Sequence, residues 1–367
     1  MTRLTRRSSI ALLGGTLAAP FVRPSWAQAG QVNVYNWSDY IGETTLEDFE
    51  AETGIRVVYD TYASSEEMEA KMLAGATGYD VTLAAGVSMP MFVKAGVFQE
   101  LDHAALPGLE NMNPTLMKIL EGWDPGLKHV VPYMWGSVGF TFNVDMVRER
   151  LPDADLEDLA TIFSPENAAK LADCGISILD SPTDIMKMVL PYLGLDGDSK
   201  SPEDFEKVVA AFEPIRPHIR TFDNTNYLNA IPNGELCVAN TWSGDYGVAA
   251  ARAAEAGIEL NLQYVVPKTG APLWFDVWAV PTDAPHTEAA YEFLRYMLRP
   301  EVVAAATNYT LYANANDAAR EFVDDYILED PAVYPDDETI SRLFVTTPDD
   351  EDMNRMVTRA WQRVKSG

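Results

Sequence analysis

From Gln31 onward, short apolar runs alternate with amphipathic stretches, and this alternation constrains the fold of the 367-residue chain more than any other feature. Val32-Asn33-Val34-Tyr35 reads as a strand, residues 46–51 as a short helix stopped by Gly54, and residues 55–59 as a second strand. Ser64 is placed to cap the next helix, with Glu67 three residues on as its capping-box partner and Met68, Met72 and Leu73 as its apolar face. Residues 79–85 read as the strand that follows. Strand–helix units at this spacing predict a parallel sheet covered on both faces. The pattern recurs, with strands over 136–143, 174–179, 235–240, 260–266 and 274–280 and helices from 184, over 201–214, 243–257 and 288–298. No internal repeat or long linker interrupts it. A chain of this length, 47% hydrophobic, supports two cores rather than one, and so two α/β lobes.

The first 29 residues differ in kind. Arg3, Arg6, Arg7 and Arg23 are their only charges; an apolar run over 10–22 follows the first three, and small residues at Ser25, Ala27 and Ala29 supply cleavage positions. That order predicts a secretory signal peptide over 1–29, too short in its apolar run to span a bilayer. The Arg6-Arg7 pair points toward a twin-arginine route. Removing the segment leaves 23 basic and 55 acidic residues, a net charge near −32. Such a surface repels nucleic acid and mildly concentrates small cations, although solubility alone also accounts for it.

Three clusters join aromatics to carboxylates at strand ends or within strands: Trp37-Ser38-Asp39-Tyr40, Trp242-Ser243-Gly244-Asp245 and Trp274-Phe275-Asp276. Loops at the carboxyl ends of parallel strands are where open α/β sheets bind ligands. An aromatic face attracts a cation and stacks on methylenes, and a carboxylate gives an ammonium a charge-assisted hydrogen bond. An alkyl chain with an ammonium at each end matches that chemistry. Each cluster taken singly also reads as core packing or a helix cap; together they read as a cation site.

Enzyme motifs are missing: there is no Gly-x-Ser-x-Gly, P-loop or dinucleotide loop, and Ser243 has no histidine at a suggestive spacing. Aromatic walls with paired acids also suit a sugar binder or, less well, a glycan-acting enzyme. Sugar sites, however, need many mixed donors and acceptors. The four histidines form no metal-ligand spacing, so neither a metal nor a cofactor is expected. Cys174 and Cys237 form an even pair, which an exported protein is free to oxidise.

Longer stretches now bear on the reading. Asn33-Val34-Tyr35-Asn36-Trp37-Ser38-Asp39-Tyr40-Ile41, Tyr133-Met134-Trp135-Gly136, Asn233-Gly234-Glu235-Leu236-Cys237, Trp242-Ser243-Gly244-Asp245, Phe275-Asp276-Val277, Tyr312-Ala313-Asn314-Ala315-Asn316 and Thr358-Arg359-Ala360-Trp361 resemble the bacterial periplasmic spermidine/putrescine-binding proteins, the putrescine type most of all. The resemblance implies a type II periplasmic-binding-protein fold, two α/β lobes joined by crossing hinge strands that close over one polyamine. It also implies that the protein is the substrate-binding component of an ABC importer: exported to the periplasm, monomeric, not an enzyme, and partnered by a membrane permease. The lobes are expected over 30–136 plus 266–312 and over 137–265 plus 313–367. Carried over by position, the aromatic walls fall on Trp37, Tyr40, Trp242, Trp274 and Tyr312, the ammonium-binding acids on Asp39, Asp184, Asp245 and Asp276, with Ser38 as a further contact. The same resemblance pairs Cys174 with Cys237. Three positions depart from the putrescine type, which has serine at Ala85 (with Ser88 as the replacement here), glutamate at Asp184 and phenylalanine at Trp274, the last being tryptophan in spermidine binders. An acid at Asp245 favours putrescine. Spermidine, cadaverine and agmatine are the alternative ligands, and a sensor of polyamine the alternative role.

Overall fold

The computed structural model describes residues 30–62 and 64–366, so the signal segment expected over 1–29 lies outside the described residues. β1 (Gln31–Trp37) pairs in parallel with β2 (Arg56–Tyr62) and with β3 (Val81–Ala85). The helices between them form for local reasons. Thr45–Thr53 ends where Gly54 takes φ 71°, a left-handed turn that costs a side-chain-free residue little. Ser64 accepts the amide of Glu67 at 3.2 Å and so caps Ser65–Ala74.

The spine of the molecule is β4 (Val131–Asn143), buried at all 13 positions. Sequence periodicity started this strand at Gly136. Pro132 hid the earlier turn of it, and the register does shift between Pro132 and Trp135, where an irregularity accommodates the missing amide. The other strands are β5 (Ile176–Ile178), β6 (Ile219–Phe222), β7 (Val238–Trp242), β8 (Leu262–Val265), β9 (Ala271–Ala279), β10 (Ala313–Asn314) and β11 (Leu343–Phe344). Their order is β2-β1-β3-β9-β4-β7-β5-β6, with β8 and β10 on β4 and β11 on β9. β9 runs antiparallel to both β3 and β4, so the sheet is mixed where the units meet.

Two buried clusters lie along this sheet. One holds Phe49, Trp135, Phe275, Trp278 and Phe293; the other holds Val138, Phe140, Phe205, Phe212, Ala271 and Trp361. Because β4 and β9 each contribute to both, these two strands are the crossings between lobes. The late chain divides differently from the expected boundary after residue 312. Ala313, Ala315, Ala319, Val323 and Ile327 pack in the first core, because β10 pairs with Trp135 and Met134 there. Met353, Val357, Trp361 and Val364 pack in the second, on the face of the helix Glu351–Ser366. Val266 and Ala271, expected in the first lobe, also belong to the second core.

A third segment connects the lobes. β11 pairs in parallel with Ala271 and Pro272, and the indole N–H of Trp123 donates to the Thr346 carbonyl at 2.8 Å. Just beyond, Asp349 pairs with the buried Lys187 at 3.1 Å.

Cys174 and Cys237 form a disulfide with their Cα atoms 5.4 Å apart, closing a loop of sequence separation 63 between the approaches to β5 and β7. Closing a loop of that size restricts the unfolded chain. Replacing both cysteines by alanine is expected to lower stability by about 2–4 kcal/mol. Urea unfolding of the two proteins measures it, and matching midpoints would show that the bridge contributes nothing.

Candidate functional site

The first half of the site is built on the turn after β1. Asn36 is fully buried; its side-chain amide donates to the Tyr40 carbonyl at 2.9 Å and to the Tyr59 hydroxyl at 2.8 Å, and its oxygen accepts the Trp37 amide at 2.8 Å. Asp39 takes φ 54°, a left-handed conformation that Asp tolerates better than most residues. The pinned turn directs Tyr40 inward while Ser38 and Asp39 stay exposed at the rim. Trp37 packs against Tyr62 with ring centroids 4.4 Å apart.

Asp276 lies opposite Ala85 where β9 pairs with β3, and it is 8% exposed. Burial pushes its carboxyl up to about 7; the Tyr40 hydroxyl and the Trp37 indole, lying close by, temper that rise. The Tyr40 hydroxyl nevertheless completes no hydrogen bond of ordinary geometry, and the indole N–H of Trp274 is buried without a partner among the described residues. Ser88, considered as a replacement for the serine missing at 85, instead donates to Glu69 at 2.5 Å.

The second half sits on two helix starts. Asp184, in the first turn of Pro182–Tyr192, accepts from Ser181 at 2.7 Å and from the Trp242 indole at 3.2 Å. A predicted acid therefore holds a predicted wall. Burial raises the pKa of Asp184. Asp245, in the first turn of Ser243–Glu255, accepts from two phenols, Tyr312 at 2.9 Å and Tyr227 on its other oxygen. Burial pushes Asp245 up to about 6, with Tyr227 and then Tyr312 opposing the rise.

Tyr312 joins the halves. Its ring meets Tyr40 edge-on at 5.6 Å and Trp274 edge-on at 5.2 Å, and its hydroxyl reaches Asp245. Two glycines make room. A Cβ on Gly136 would lie 2.5 Å from the Trp274 ring, and one on Gly244 would lie 2.5 Å from the Tyr312 ring. The structure thus brings Tyr40, Trp274, Tyr312, Asp245, Asp276 and Trp37 into one network and sets Asp184 with Trp242. It leaves Ser38 and Asp39 at the rim and turns Ser88 away. Tyr227 is not singled out by the sequence; only its fold-mediated contact with Asp245 marks it.

The chemistry of this site is unusual for buried acids. Among the described residues, no ion pair with Lys, Arg or His involves Asp184, Asp245 or Asp276. Carboxyls held out of water without a cation are costly to ionise, and a cationic guest between aromatic faces offsets that cost. Two open surface grooves elsewhere, one of about 490 Å³ along Ala250–Leu262 and one of about 380 Å³ beside Lys200 and Met356, lack such a convergent set.

Known proteins resemble the chain along its whole length. Residues 44–335 match the family described as bacterial extracellular solute-binding protein. A putrescine-binding periplasmic protein of Escherichia coli K12 is 41% identical over all of both chains. A second, from Pseudomonas aeruginosa UCBPP-PA14, is also 41% identical, over 99% of this chain and 100% of the other. A putrescine/agmatine-binding protein from P. aeruginosa PAO1 is 38% identical over 96% of each. Among solved structures, a spermidine/putrescine ABC transporter substrate-binding protein of Streptococcus pneumoniae superposes with a TM-score of 0.80 at 28% identity, over 92% of this chain and 99% of the other.

Proposed function

The chain belongs to the family of bacterial extracellular solute-binding proteins, and from that premise we propose that it captures putrescine in the periplasm and delivers it to the permease of a polyamine ABC importer. The observation that carries the ligand reading is the placement of Asp245 and Asp276 on either side of Tyr312, each buried and, among the described residues, neither in an ion pair. One ammonium lies at Asp276 beside Tyr40 and Trp37, the other at Asp245. The rings of Trp274 and Tyr312 cover the methylenes between them. Asp184 and Trp242 flank the second end, and Ser38 and Asp39 contribute from the rim. The protein acts as a monomer and performs no covalent step.

Tyr312 packs on the first core while Asp245 starts a helix of the second lobe, so their hydrogen bond spans the cleft. A diamine touching both sides binds the closed arrangement better than the open one and shifts the population toward it. The permease then reads the closed surface.

Calorimetry on the processed protein with putrescine, cadaverine, agmatine, spermidine and maltose tests the reading. Putrescine is expected to bind one to one and most tightly. Maltose binding with no amine bound at about 1 mM, the level worth only about 4 kcal/mol, would overturn it.

A further inference from the structure

Tyr227 sits outside the set of residues that face the ligand in the reading above, yet it is 1% exposed and its hydroxyl is committed to Asp245 Oδ2. Its surroundings hold it in place. Asp223 accepts the amides of Thr225 and Asn226 just before the short helix Tyr227–Ala230. Within that helix Asn229 accepts from Arg252, which lies on the same helix as Asp245. Tyr227 and Asp245 thus belong to two helices tied together inside one lobe, and their bond does not depend on the cleft being closed. The Tyr312 bond to Asp245 Oδ1 differs, because it reaches across from the other lobe.

We propose that Tyr227 is the positioning residue of Asp245: its phenol fixes Oδ2 on the inner side of the lobe, so that Oδ1 faces the cleft before any ligand arrives. The role rests on the reading of Asp245 as an ammonium partner. A carboxylate free to rotate would lose orientation each time the lobes open, and the ordering would be charged to ligand binding. A phenol is also suited to the task chemically. It donates to the ionised form and so favours ionisation of a carboxyl that burial disfavours. The groups facing Asp245 are few: Tyr227, Tyr312, Tyr264 of β8, and Arg252 from its own helix, with Asp223 acting on Tyr227. Tyr227 is the first of those that lower its pKa.

The test reads Asp245 directly in ligand-free protein, by carboxyl-carbon NMR with Asp245→Asn identifying its signal. Tyr227→Phe is expected to raise the Asp245 midpoint by about one pH unit. A ring-fluorinated tyrosine placed at 227 keeps shape and hydroxyl but donates more strongly, and it must move the midpoint down. It also covers the case in which the Phe variant fails to fold. An unmoved midpoint in either folded variant overturns the proposal. Putrescine binding adds a second readout: Tyr227→Phe is expected to bind about twentyfold more weakly near pH 5.5, with the gap closing to about threefold near pH 8.5 as ionisation is restored. A loss equal at all pH values would mark Tyr227 as merely structural. Should the midpoints shift while no diamine binds, the positioning of Asp245 stands and the putrescine reading falls.

Discussion

Asp276→Asn is expected to lower putrescine affinity by about 100-fold or more and, at the same time, to make the ligand-free protein more stable near pH 8. The two effects share one cause. Asp276 is buried on β9 against β3 and lacks a cation among the described residues, and burial pushes its pKa from 3.8 to about 7. In the proposed complex the carboxylate holds an ammonium, and removing one member of a buried charged pair costs about 3–5 kcal/mol. Without ligand, ionising Asp276 near pH 8 is a burden on the fold of a few kcal/mol, at about 1.4 kcal/mol for each unit of displaced pKa. Asparagine has a similar shape and no charge, so it removes that burden. Calorimetry with putrescine and urea unfolding without it measure the pair. A variant that binds as the wild type does would take Asp276 out of the site. A variant that loses binding and stability together would show that the fold, rather than the charge, had been damaged.

The pH dependence has the second-largest effect, and its two parts run in opposite directions. Asp276 at about 7 and Asp245 at about 6 are raised, so between the unfolded value near 4 and these pKa values the folded protein holds more protons than the unfolded chain. Stability of the ligand-free protein contributed by these groups therefore falls as pH rises from about 4 to 7 and levels off above that. Affinity moves the other way. A diammonium ligand binds the ionised carboxylates, so protons must leave before it is held. Between about pH 8 and pH 5 the affinity is expected to fall by about 100-fold through Asp276 and by a further factor of about ten through Asp245. Calorimetry in buffers of different ionisation heat, run near pH 6.5, should also register proton release on binding. A flat affinity over this range, with no proton release, would mean that neither acid meets the ligand.

Much of this protein was legible locally. The capping of Ser65–Ala74 by Ser64, the stop at Gly54 and strands β1 to β3 follow from periods of 2 and 3.6 residues and from the special backbone preferences of a few residue types. Those signals act within about ten residues, so a single chain displays them. The three aromatic–carboxylate clusters were visible for the same reason. Asp184 and Tyr312 were not. Each looks like a cap or a turn residue in isolation, and only the resemblance to polyamine binders drew them into the site.

What escaped the sequence was set by contacts between distant segments. Pro132 masked the start of β4, although the strand tolerates it through a register shift. Ser88 has the right chemistry for a ligand contact but spends its hydroxyl on Glu69, 19 residues away. The path of the chain past residue 312 was not legible, because two-residue β10 has too little periodicity to show that it pairs with Trp135 and Met134.

The sequence by itself determined the alternation that makes an α/β sheet, the helix caps, and the residue types that suit a diamine, because each depends on near neighbours along the chain. Tertiary structure alone decided that Asp245 is held by Tyr227 and Tyr312, 18 and 67 residues away, and that Asp276 lies buried with no ion pair among the described residues. The physical reason is that desolvation belongs to a place in the fold, not to a residue. An aspartate in the chain is an ordinary acid until the strands and helices around it exclude water and leave its charge for a ligand to meet.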